Sequence, residues 1–165
     1  VELHSTKSSK EADVSDQSLV YLAARYSRRE ELLSYRAQLE AMGFTVTSRW
    51  LNGAHQVDNN GLQLGDDGER LVEACADPIA GDFATEDMAD VAAAYTVVAF
   101  TEPPRSSASR GGRHVELGMA LAWAKRVIVV GPRENVFCWL PYVEHFDEWH
   151  GAFDALCAVS FQEKT

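Results

Sequence analysis

A glutamate placed just behind two glycines, where a helix begins, is the arrangement in this sequence best suited to covalent chemistry. It lies in the segment Gly111-Gly112-Arg113-His114-Val115-Glu116-Leu117-Gly118-Met119-Ala120. The glycines let the backbone approach a ligand, and the positive end of the helix dipole favours an ionised Glu116. An ionised carboxylate is what attack on an anomeric carbon requires. A first-turn glutamate also serves plain dipole compensation, so a second carboxylate is needed before the segment reads as a site. Asp87 and Asp90 are the candidates. They fall on a predicted helix before a strand, and a separation of three residues puts them on one helical face. Solvated surface is the competing reading for both in an acidic protein.

Anion-binding groups form a second set. Arg25, Ser27, Arg28 and Arg29 surround a predicted helix N-terminus, where backbone N–H groups already favour negative charge. Arg28 and Arg29 read equally well as solvated residues, with Ser27 as a plain cap. With Arg105, Ser106, Ser107 and Ser109, the arginines Arg25 and Arg28 offer a lining suited to phosphate. Trp50 and Trp139 present aromatic faces on which a base could stack, although core or interface positions suit them equally.

Other chemistries find little support. The five histidines show no HExxH pattern, and Cys75, Cys138 and Cys157 are far apart with no CxxC pair. No metal and no cofactor is therefore expected. A formal charge of −10 speaks against a protein that tracks nucleic-acid phosphates and for a small-molecule substrate. With no apolar stretch of membrane-spanning or signal length and an odd cysteine count, the chain reads as a reduced, cytoplasmic protein that binds no membrane.

The elements that would position these residues alternate. Residues 1–17, polar and without apolar periodicity, read as a flexible tail, and 18–165 as a single domain. Strands are expected at Ser18–Ala24, Phe44–Trp50, Tyr95–Phe100, Arg126–Val130 and Val143–Phe146. Helix one follows the S-x-x-E capping box of Ser27 and Glu30, carries Leu32, Tyr35, Leu39 and Met42, and stops at Gly43. Further helices are expected at Leu71–Ala76, Thr85–Ala94, His114–Ala124 and Asp147–Val159, with Pro78 and Gly81 separating the first two of these. Leu51–Gly68 and Thr101–Gly112 read as loops. This alternation predicts an α/β, flavodoxin- or Rossmann-like doubly wound sheet of about five parallel strands with helices on both faces, binding its ligand at the carboxyl ends of the strands.

From Ser18 to about Pro141 the chain resembles the nucleoside 2-deoxyribosyltransferase superfamily, which includes nucleoside 5′-monophosphate N-glycosidases. The likeness rests on Val20-Tyr21-Leu22-Ala23, on Glu86-Asp87-Met88, and on G-x-x-x-E-L-G-x-A realised as Gly112 to Ala120. It implies that Glu116 attacks the anomeric carbon, that Asp87 handles the proton of the departing base, and that Tyr21 lies near the nucleophile. It also implies that Asn135 reaches the sugar 5′ end of a neighbouring subunit, so that a homo-oligomer completes each site. Tyr95 stands where many relatives carry an aspartate. Asn135 resembles the nucleoside transferases, whereas the arginine and serine lining favours a 5′-phosphate. The expected activity is transfer or cleavage of an N-glycosidic bond through a glycosyl-Glu intermediate, with nucleotide hydrolysis as the alternative. A non-catalytic nucleotide-binding module is the rival of another class.

Overall fold

The computed structural model describes residues 17–53, 55–57, 60–64, 79–103 and 111–162. The expected tail up to residue 16, the helix Leu71–Ala76 and Arg105, Ser106, Ser107 and Ser109 lie outside the described residues.

Strand β1 (Leu19–Ala23) feeds α1 (Arg29–Ala41) and the short strand β2 (Thr45–Val46). A hairpin of β3 (Gln56–Val57) and β4 (Gln63–Leu64) stands apart from the main sheet. Then come α2 (Ala80–Ala93), β5 (Thr96–Phe100), α3 (Gly112–Ala122), β6 (Arg126–Val130), β7 (Val143–Phe146) and α4 (Trp149–Gln162). Five strands form one parallel sheet in the order β2-β1-β5-β6-β7. The fold is thus α/β and doubly wound, in the strand order of flavodoxin-like sheets.

Burial explains the strand composition. The central strands LVYLA, TVVAF and RVIVV are covered on both faces, so they are nearly continuous apolar runs rather than alternating ones. Because parallel crossovers are right-handed, moving outward from β1 to β2 and in the opposite direction from β5 to β6 sets α1 and α3 on opposite faces. On one face α1 and α4 meet through Tyr35 stacked on Trp149 at 4.5 Å, with Trp149 Nε1 donating to Gln38 at 3.0 Å. On the other, α2 packs on α3. The winding reverses between β1 and β5, and that switch point opens the crevice in which such sheets bind ligands.

Several boundaries depart from the sequence reading. No capping box forms: a 3₁₀ turn over Tyr26–Arg28, with Arg28 N–H donating to Arg25 O, moves the start of α1 to Arg29 and takes Ser27 away from the cap. Glu31, not Glu30, then receives the paired hydrogen bonds of Arg28. Strand two is only two residues long because the Ser48 hydroxyl accepts from Leu22 N–H at 2.7 Å and Trp50 Nε1 donates to Leu22 O at 2.9 Å. Side chains replace the backbone ladder there, and Arg49–Asn52 coils into a 3₁₀ turn. The stretch read as a loop after Trp50 contains the β3–β4 hairpin. Helix α2 begins at Ala80, so Gly81 sits inside its first turn instead of breaking the chain. Helix α3 starts and ends two residues earlier than expected, and α4 runs from Trp149 to Gln162.

Candidate active site

At the carboxyl ends of β1 and β5 lies a cleft of about 510 Å³. One wall is the segment after β1, with Arg25, Tyr26 and Ser27; a second is α3, with Gly112, Arg113 and Glu116; Asp87 of α2 and His55, Gln56 and Val57 of the hairpin complete it. Gly111 caps α3 at φ 87°, a left-handed conformation that costs glycine little, and so directs the next residue into the cleft.

Glu116 and Asp87 come from the two helices on the same face and meet in this space. Both residues touch the cleft, yet Glu116 Oε2 and Asp87 Oδ1 are sealed from solvent and have no hydrogen-bond partner among the described residues. Burial, reinforced by the charge of Asp87, pushes the Glu116 carboxyl up to about 8. Burial likewise raises Asp87 to about 6, with Asp90 and Glu86 adding to the rise and His55 opposing it. Desolvation is thus the largest cause for both carboxyls, and it holds the proton more tightly on Glu116 than on Asp87.

Tyr21 of β1 is fully buried, and its phenol is pushed well above its ordinary range by burial, then by Glu116 and Asp87. Its hydroxyl makes no hydrogen bond of ordinary geometry among the described residues, but it lies close enough to Glu116 to favour the ionised carboxylate. A phenol that will not ionise remains a hydrogen-bond donor toward that carboxylate.

Asp90, which shares a face with Asp87, is placed differently. It is buried and accepts from Arg49 N–H and Nε, both at 2.8 Å, fixing the 3₁₀ turn that carries Trp50. Trp50 is buried against Tyr26 and held by Leu22 O, so it contributes a wall to the cleft and not a free ring. Arg25 lines the cleft with Nη1 on Glu102 Oε2 at 3.0 Å. Arg28 bonds Glu31 instead and lies over the Phe100 ring. Asn135 does not line the cleft of its own chain; its side chain accepts from Phe137 N–H at 2.9 Å and caps a 3₁₀ turn at Val136–Trp139.

Among the cleft residues that escaped the sequence reading, Arg113 and His55 carry ionisable side chains. Arg113 is only 4% exposed, donates to Phe100 O at 2.6 Å and to Glu134 at 2.9 Å, and favours the ionised form of Glu116. Its place three residues before Glu116 on one helical face was the available signal. His55 stacks on Phe83 and contacts Glu86 at 3.1 Å, partners 28 and 31 residues away in sequence. A lone histidine in a polar stretch gave no sign of either. Among the described residues no group of three or more His, Cys, Asp and Glu side chains is arranged to hold a metal, and no helix is long and apolar enough to cross a membrane.

No protein-family model matches the chain, and no curated protein matches it. Among solved structures it is similar to Clostridium botulinum CMP N-glycosidase, BcmB, with a TM-score of 0.51 and 16% sequence identity over 84% of this chain and 97% of that one. At that identity the likeness is one of fold.

Proposed function

We propose that this protein breaks the N-glycosidic bond of a nucleoside or nucleotide by double displacement, with Glu116 as nucleophile and Asp87 as the acid that releases the base. The observation that carries the reading is the pair itself: two carboxyls from separate helices that line one cleft, each with an oxygen buried and without a hydrogen-bond partner among the described residues, and both raised by burial. Retaining glycosidic chemistry needs one group charged and the other protonated. Burial by itself favours the proton on Glu116. A substrate reverses this, because a base nitrogen beside Asp87 accepts a hydrogen bond from its protonated form while positive charge growing on the anomeric carbon stabilises Glu116 as the anion. Tyr21 and Arg113 favour that same anion.

As the Glu116 oxygen bonds to the anomeric carbon, the bond to the base breaks and the base leaves with the Asp87 proton. A second base or water then attacks the same carbon, frees Glu116 and returns a proton to Asp87. Transfer to a second base is the leading outcome, on Asn135. This requires a homo-oligomer in which Asn135 reaches a neighbouring cleft, and the apolar residues next to it are suited to that contact. Hydrolysis of a nucleoside monophosphate is the second reading, favoured by the shared fold with a CMP N-glycosidase.

Glu116→Gln tests the assignment. It should leave the chain folded and lower base release at least about a thousandfold, because an amide keeps the size and loses the nucleophile. Denaturing mass spectrometry of the wild-type protein quenched during turnover should show a sugar adduct on Glu116, absent from the variant. A variant that still releases base would remove Glu116 from this role, and a chain inert to every nucleoside and nucleotide would favour the non-catalytic binding module.

A further inference from the structure

The arginines of the cleft wall are not equally available to a ligand. Among the described residues two arginines line it, Arg25 and Arg113, and each is joined to a carboxylate: Arg25 to Glu102 at 3.0 Å and Arg113 to Glu134 at 2.9 Å. Glu102 lies two residues beyond the end of β5, and its side chain is only 14% exposed against 28% for Arg25, so the carboxylate is the more enclosed partner. Its backbone N–H points to Glu134 Oε2 at 3.5 Å, which links the two pairs.

We infer that Glu102 is a specificity-determining residue that biases this cleft against substrates carrying a phosphate. The inference rests on reading the cleft as a nucleoside or nucleotide site. A dianionic phosphate that reached Arg25 would have to displace the Glu102 carboxylate or lie beside it, and it would also meet the charge held by Asp87 and Glu116. Like charges in a partly desolvated site oppose one another strongly. A 5′-hydroxyl carries no charge and can donate to Glu102 or accept from Arg25 without breaking the pair.

The experiment reads binding, so its outcome is separate from that of the proposed reaction. Calorimetric titration of the full chain with inorganic phosphate, and with a matched nucleoside and its 5′-monophosphate, is compared for wild type, Glu102→Gln and Glu102→Gln combined with Arg25→Gln. The single variant should improve phosphate binding, and the ratio of monophosphate to nucleoside affinity, by about tenfold, the equilibrium equivalent of roughly 1.4 kcal/mol. The added Arg25→Gln should cancel the gain. Glu102→Ser should move the ratio in the same direction, with melting curves showing that the variants are folded. No gain on either probe, or a gain that persists without Arg25, would overturn the proposal. Absence of base release from every substrate would instead count against the N-glycosidic reading and leave the phosphate titration to decide this one.

Discussion

Glu116 is held where its charged form is costly, and the cost has a sign that can be measured. A carboxyl raised from 4.5 to about 8 binds its proton more tightly in the folded state. Stability from this group is fully present below pH 4.5 and is lost as pH rises through about 8. Asp87, raised from 3.8 to about 6, acts in the same direction over a lower window. Glu31, held below the usual range by Arg28, acts oppositely and only in acid. Subtracting the denaturation free energy of Glu116→Gln from that of wild type isolates the first contribution. The variant should gain on wild type between pH 5 and pH 8, by an amount of order 1.4 kcal/mol per pKa unit at most. Parallel pH dependences in urea denaturation would show that the carboxyl is better solvated than its burial indicates. The glycine-led segment made Glu116 visible in the sequence because a helix start is a local pattern. Spacing alone left Asp87 and Asp90 equivalent, since what separates them is Arg49, a partner about forty residues away. His55 was missed for the same reason, since its partners lie about thirty residues away, whereas Arg113 did share a helical face with Glu116 and only its burial and its bond to Glu134 left no mark in the sequence.

At the scale of elements, the strands β1, β5 and β6 were the most legible, because apolar runs bounded by polar residues mark buried parallel strands. β2 was not, because a serine hydroxyl and an indole N–H take over its ladder, which no propensity reports. The turn after β6 is another feature set by close approach. Gly131 has φ 104°, and a Cβ there would lie 2.9 Å from Thr101 Oγ1 and 3.0 Å from Thr101 O. Thr101 precedes Glu102, so this contact bears on the ion pair at the cleft as well as on stability. Gly131→Ala must both strain the backbone and push the end of β5, and should cost roughly 2 kcal/mol, or about 4–8 °C in Tm. Thermal unfolding followed by circular dichroism checks it; an unchanged Tm would mean that the β5 end yields without penalty.

For the whole molecule the open question is how a residue outside the cleft could serve it. Val136, Phe137, Trp139 and Tyr142 are 77%, 59%, 68% and 62% exposed, an apolar ledge beginning beside Asn135, with Arg133 stacked over Trp139 at 4.3 Å. Contiguous exposed aromatics of this kind suit burial against a protein surface better than contact with water. If two copies pack through the ledge, Asn135 is carried toward the partner's cleft, and each site takes Glu116 from one chain and Asn135 from the other. Subunit mixing tests this directly. Glu116→Gln and Asn135→Ala proteins, each impaired alone, should recover activity when denatured together and refolded. Random pairing into two-fold dimers gives about half mixed dimers, each with one intact and one doubly defective site, hence about a quarter of wild-type activity. Phe137→Asp with Trp139→Asp should abolish the recovery and, by sedimentation velocity, leave the protein monomeric. No recovery from a mixture that does form dimers would place Asn135 outside the partner's site and leave it as the cap of its own 3₁₀ turn.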